Sequence, residues 1–273
     1  MATTLTGTAA ANAILRRPRM QLSPGTISII STIVLFASWA LVSWTGLANP
    51  LFLPGPDTVA AKLYEITVEG YQGATLLEHL ATSLGRILSG FGLACIVGIP
   101  LGIVMGLSVN TRAALNPLIE FYRPLPPLGL YTVLVMWLGI GEESKLALLF
   151  LAGLPGIIIA TTQAASSIDQ TYIRVARSLG ATRNELFWHV YLPGAGPIIL
   201  TGMRISLGFT YTVLVAAEIV AATAGIGWMI WDAAKFLLSD VVIGGLFVLG
   251  LTGIALDLVM RSIGSFLMPW TRA

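Results

Sequence analysis

From Ser166 to Pro193 the chain reads SSIDQTYIRVARSLGATRNELFWHVYLP, a polar, arginine-bearing insert between two long apolar runs. Thr171 to Leu179 is helix-forming, and Gly180 suits the C′ position, where a helix ends with one residue in the left-handed region. Thr182-Arg183-Asn184-Glu185 has the capping-box pattern, in which Thr182 and Glu185 satisfy each other's backbone donors. A second helix is expected from Arg183 to about Tyr191, ended by Pro193, which cannot donate a backbone hydrogen bond. The product is a helix–glycine–helix elbow spanning 166–193 and lying against a membrane. It should expose apolar Leu179, Leu186, Phe187 and Trp188 beside the cations Arg174, Arg177 and Arg183. By itself such a pair also fits an amphipathic segment that merely rests on lipid.

The flanks place the insert in a membrane protein. Of 273 residues, 56% are hydrophobic and only 10% charged, with mean hydropathy +0.85, against roughly 25% charged in soluble domains. Apolar runs of spanning length lie at about Ile27 to Leu47, His79 to Leu107, Ala113 to Gly139, Leu146 to Ala165, Gly196 to Ala222 and Val241 to Leu267. The third is broken midway by Pro124, Pro126 and Pro127. The second is rich in glycine (Gly85, Gly90, Gly92, Gly98, Gly102, Gly106), which permits close helix approach. Residues 58–69 read as a short helix outside the spans. The expectation is an all-α polytopic protein of six spans: a tail over 1–26, then one membrane domain over 27–273. The first apolar run exceeds the 7–15 residues of a cleaved leader.

Basic residues orient the chain. With the N-terminus inside, Arg16, Arg17, Arg19, Arg112, Arg174, Arg177, Arg183, Arg261 and Arg272 fall on the cytoplasmic side. Lys62, Lys145 and Lys235 fall outside, and Arg86, Arg123 and Arg204 lie within spans. Nine against three satisfies the positive-inside rule, puts both termini in the cytoplasm and makes the elbow cytoplasmic. No single basic stripe suits nucleic acid.

The spacing Ala176-Arg177-Ser178-Leu179-Gly180, followed by Val190-Tyr191-Leu192-Pro193, resembles the EAA loop of ABC importer permeases, whose pattern is EAA-x3-G, nine residues, then I-x-LP. Arg174 stands at the glutamate position and Val175 at the first alanine position; Ala176, Gly180, Leu192 and Pro193 fit. Further segments are similar to the nitrate/sulfonate/taurine branch of that family: residues 50–54, 79–88, 98–102, 120–127, 137–141 and 215–223. Residues 73–76 and 236–242 look most like taurine permeases. The resemblance implies a type I (MetI-like) permease fold and a membrane permease subunit that imports a small anionic or zwitterionic sulfonate, foremost taurine, with other alkanesulfonates or nitrate as alternatives. It also implies assembly with a second copy, two ATP-binding subunits and a periplasmic solute-binding protein in a bacterial inner membrane. ATP and Mg would be bound by the ATPase, with no cofactor in this chain. The elbow would be the coupling helix gripped by the ATPase, through Arg174, Ala176, Arg177, Leu179, Gly180, Arg183, Glu185, Phe187, Trp188, Leu192 and Pro193. Trp188 then reads as a contact with the ATPase groove or as an interfacial anchor.

Ionisable groups inside spans call for partners or water. Glu120 and Arg123, three apart, share a helix face. Arg123 lies on the order of 15 Å from the start of its span, beside the proline break. The two residues read either as a structural pair or as a cation lining an anion's path. Glu218 reads as a structural group or an outer gate, and with Glu120 and Arg123 completes the candidate translocation set. Arg204 reads as snorkelling to headgroups or assisting release, Asp257 and Arg261 as a local i,i+4 pair, and Arg86 has no partner legible in sequence. The lone Cys95 reads as an inert thiol, and His79 and His189 form no metal cluster. No G-x4-G-K-[ST] phosphate loop is present, so the chain cannot itself be the ATPase. A secondary transporter would show an inverted repeat and paired broken helices, whereas one broken span and no repeat are visible. An intramembrane enzyme would need a nucleophile–base or metal set within the spans, and none is legible.

Overall fold

The computed structural model describes residues 23–272, and these are almost wholly helical. The described chain forms two compact units, divided after Pro56. The first holds α1 (Pro24–Trp44). There the Trp39 indole donates to the Pro54 carbonyl at 3.1 Å and the Ser43 hydroxyl to the Leu53 carbonyl at 3.1 Å, fastening the Leu53-Pro54 turn. Of the expected tail, residues 1–22, with Arg16, Arg17 and Arg19, lie outside the described residues.

The second unit contains α2 (Pro56–Val68) from its second residue on, then α3 (Leu76–Leu107), α4 (Val109–Tyr122), α5 (Pro127–Leu138), α6 (Glu142–Ser166), α7 (Gln170–Ser178), α8 (Arg183–Leu186), α9 (Leu192–Ala221), α10 (Ile226–Lys235) and α11 (Ser239–Leu267). A π-turn over Phe187–Tyr191 joins α8 to α9. Among the described residues, five helical stretches are long and apolar enough to cross a bilayer: α1, α3, α6, α11 and the continuous run through α9.

Glycines fix how these helices pack. A Cβ added to Gly90, Gly98, Gly102 or Gly106 of α3 would meet Leu149, Ile157, Thr161 or Ala165 of α6, respectively. The offset is constant, so the two helices run parallel in close contact. The Thr162 hydroxyl reinforces the seam by donating to the Gly102 carbonyl at 3.2 Å. Gly85 and Gly92, also expected to admit a neighbour, face open space. On its other side α6 meets α9 antiparallel, with Gly153 against Thr210, Gly156 against Ser206 and Gly202 against Ala160. Ser206 donates to the Gly153 carbonyl at 2.7 Å. Helix α11 runs antiparallel to α9, placing Gly253 on Tyr211 and Gly264 on Leu200.

Parallel α3 and α6 require a return path between them, and α4 with α5 supplies about 40 Å of helix for it. The expected single third span is therefore two helices meeting at residues 123–126. Only α5 is apolar throughout; α4 carries Asn110, Arg112, Asn116 and Glu120. The break follows from Pro124, Pro126 and Pro127, which restrict the residue before each and remove donors. The ends of α3, α6 and α11 and the start of α9 thus share one pole, where Arg112, Arg174, Arg177, Arg183 and Arg261 lie. Helix α10, not anticipated from sequence, packs Ile226, Met229 and Ala233 with Ile66, Val241 and Leu249 in a separate apolar cluster at the opposite pole.

Candidate functional site

The elbow forms as its residues dictate. The Asp169 carboxylate caps α7 by accepting from the Thr171 amide at 2.8 Å, and that hydrogen bond holds its pKa below the ordinary 3.8. At the other end, Gly180 adopts φ +87°, the Gly180 amide donates to the Arg177 carbonyl and the Ala181 amide to the Ala176 carbonyl, at 3.0 and 3.1 Å. This is a Schellman closure, which needs a left-handed residue at C′. Thr182 and Glu185 then build a full capping box: the Thr182 amide donates to Glu185 Oε2 at 2.7 Å, and the Glu185 amide donates to Thr182 Oγ1 at 3.3 Å.

Two expectations for this segment are corrected. Pro193 does not end the second helix; the chain passes through the π-turn into α9. The Leu192 amide reaches back five residues to the Phe187 carbonyl, and this wider turn makes room for a proline with no N–H to give. Leu186 is not exposed but buried, while Phe187 is half-buried and meets Trp188 edge-on at 5.2 Å. Leu179 remains 82% exposed, and Tyr172, Val175 and Trp188 are exposed as well. An open, mostly apolar groove of about 860 Å³ runs beside them, lined by Tyr172, Val175, Leu179, Val190, Pro193 and Trp270, among others. Arg174, Arg177, Arg183 and Glu185 are exposed, Ala176 is half-buried, and Leu192 and Pro193 close the elbow's far end.

A second polar constellation lies at the opposite pole, where α3, α6, α9 and α10 converge. Arg86 donates to both oxygens of Glu142, at 2.7 Å each, to Glu218 Oε1 at 2.9 Å and to the Ala224 carbonyl at 2.6 Å. Glu218, with no solvent exposure, also accepts from the Ser83 hydroxyl at 2.7 Å and the Gly227 amide at 2.8 Å. Lys145 completes the cluster on Glu142 at 2.8 Å. The loop after α9 wraps this carboxylate: a Cβ at Gly225, which has φ +128°, would overlap it, and one at Gly227 would lie 2.9 Å from Oε2. Beside it, the fully buried His79 accepts the Gly225 amide on Nδ1 at 3.1 Å. Nε2 lies 3.1 Å from the Tyr71 carbonyl and donates to it, so the two ring nitrogens tie the loop to the start of α3. Trp228 stacks on the ring at 5.7 Å. Every buried charge here is paired, as low-dielectric surroundings require.

Glu218, a candidate for the translocation path, is thus locked into a buried hub. Glu120 and Arg123 do not pair: Glu120 accepts from Asn116 at 2.6 Å, and Arg123 makes no side-chain bond among the described residues. Both are exposed on the broken segment. Arg204 neither snorkels nor stands free. It grips both oxygens of Asp257 at 2.8 and 3.2 Å, and Arg261 joins the same carboxylate at 2.8 Å. Sequence reasoning missed Arg86 and Ser83 as direct partners of Glu218, Glu142 and Lys145 as the groups joined to it through Arg86, and His79, which holds the Gly225 amide of the loop around it. The available signal was an arginine and a glutamate in separate apolar runs, each too costly to leave alone in lipid.

A family model described as "Binding-protein-dependent transport system inner membrane component" matches residues 98–273. The chain is 45% identical over 246 residues to the taurine transport system permease protein TauC of Escherichia coli (strain K12), covering 90% of each chain. It is 34% identical over 239 residues to the putative aliphatic sulfonates transport permease protein SsuC of the same organism, covering 88% of this chain and 89% of that one. Its fold is similar to a chain of the MetNI methionine ABC transporter in an inward-facing conformation, with TM-score 0.60 at 18% identity, covering 71% of this chain and 94% of the other.

Proposed function

Because this chain belongs to the family of binding-protein-dependent transport system inner membrane components, we propose that the elbow around Gly180 is the lever through which a separate ATPase drives its conformational change, and that the imported solute is taurine. The observation that carries the first part is the elbow's build. Two short helices are locked at a fixed bend by a Schellman closure and a capping box, and their apolar tips stay exposed beside an apolar groove. A segment that only rested on lipid would need no such rigid bend. The second helix continues without interruption into α9, so a push on the elbow is transmitted along a spanning helix to the hub at the far pole.

The basic residues gathered at the elbow's pole support a cytoplasmic position for it. In this reading two copies of the chain enclose the pathway, ATP and Mg are bound by two ATPase subunits, and a periplasmic binding protein delivers the solute. Glu120 and Arg123, exposed at the break in the third span, belong to the pathway. The taurine assignment rests on the 45% identity to TauC; other alkanesulfonates come next.

The test is reconstitution with the cognate ATPase and binding protein. Taurine-loaded binding protein should stimulate ATP hydrolysis and taurine uptake. Gly180→Pro should leave the chain membrane-inserted and abolish the coupling of hydrolysis to uptake. Absence of stimulation by taurine refutes the solute, and coupled uptake by Gly180→Pro refutes the lever.

A further inference from the structure

Between α9 and α11 runs an open groove of about 660 Å³ whose floor is glycine and whose end is charged. Tyr211, Leu249, Gly250, Gly253, Ile254 and Leu258 line its length, and Asp257 and Arg261 close it. A Cβ at Gly250 would meet nothing within 4 Å, and one at Gly253 would touch only the Tyr211 ring, at 3.4 Å and beyond. The missing side chains are what open the channel. From Gly250 to Arg261 the helix rises about 16 Å, close to the roughly 15 Å of one leaflet's hydrocarbon.

The charged end is not neutral. Asp257 is held by Arg204 from α9 and by Arg261 from α11, so two guanidinium cations share one carboxylate. Three nitrogens, Nε and Nη2 of Arg204 and Nε of Arg261, are spent on Asp257. The remaining donors have no acceptor among the described residues. Arg261 is the most exposed of the three, its side chain at 61%, and it lies nearest the pole that carries the elbow. An apolar channel one leaflet long, ending in unspent guanidinium donors with net positive charge, has the chemistry of a lipid site of the inner leaflet. Basic pockets between spanning helices on that side bind anionic headgroups. We propose that this groove holds one anionic glycerophospholipid, its phosphate on Arg261 and Arg204 and one acyl chain along Gly253 and Gly250. The inference rests on the orientation given above, but not on the identity of the solute or on the lever.

Native mass spectrometry of the purified full chain, titrated with phosphatidylglycerol or phosphatidylcholine, tests it. Phosphatidylglycerol should bind in one-to-one stoichiometry and more tightly than phosphatidylcholine. Arg261→Gln should weaken phosphatidylglycerol about fivefold, the effect of one surface cation. Gly250→Leu places its side chain in open space, so folding should be preserved while the channel is filled and both lipids are weakened. Equal binding of the two lipids, or full affinity in both variants, overturns the proposal. So does efficient disulfide formation between two copies of Leu258→Cys in a Cys95→Ser background, which would make this face a contact between protomers. None of these readouts needs transport, so failure of the importer assignment leaves them interpretable.

Discussion

Arg86→Ala isolates what the buried hub contributes. The substitution removes two bonds to Glu142, one to Glu218 and one to the Ala224 carbonyl. Glu142 loses little, because its side chain is 54% exposed and regains water; that part costs at most about 1 kcal/mol. Glu218 decides the outcome. It is 0% exposed, and without Arg86 its charge faces only the Ser83 hydroxyl and the Gly227 amide. Leaving a buried charge unpaired costs about 3–5 kcal/mol. Adding Glu218→Gln to Arg86→Ala removes that charge and leaves a polar mismatch of about 1–3 kcal/mol, so the double variant should recover about 2 kcal/mol. Unfolding can be followed in detergent by the labelling of Cys95, the chain's sole cysteine and partly buried. A loss below about 1 kcal/mol for Arg86→Ala, or a double variant less stable than Arg86→Ala alone, would refute the reasoning.

Gly225→Ala should destabilise the chain by at least about 1–3 kcal/mol, measured in the same assay, because the backbone is left-handed and the new methyl overlaps the Glu218 carboxylate. Thr182→Ala removes the capping box and should cost about 1 kcal/mol. That loss should appear as faster amide exchange over residues 183–191, with global unfolding unchanged. Asp169 sets a pH dependence of known sign. Its folded pKa lies below 3.8, so the cap's contribution is fully present above that value and is lost as pH falls through the lowered folded pKa. Exchange protection at Thr171, corrected for intrinsic rate, should therefore hold from about pH 8 to about pH 5 and fade only in stronger acid; fading near neutral pH would contradict the cap.

Local rules made the elbow legible. A glycine at C′ and a Thr-x-x-Glu cap act within six residues of chain, and both closures form where the pattern places them. Apolar runs of bilayer length gave the long helices for the same reason, since hydrogen bonds within one segment are the only way a helix satisfies its backbone in lipid. Pro193 misled because a proline's cost depends on whether the preceding turn can widen, and the π-turn over Phe187–Tyr191 lets it.

What a neighbouring helix supplies could not be read in this way. Arg86, Glu142 and Glu218 are separated by 56 and 76 positions, and Arg204 and Asp257 by 53. Only the parallel seam of α3 on α6 and the antiparallel one of α6 on α9 bring the first three together. The sequence by itself determined five of the six spans, the elbow and the family, because those depend on short-range periodicity and spacing. The tertiary structure alone decided which charges meet, because a buried ion chooses its partner by helix register, and register is set by where small residues let two backbones touch.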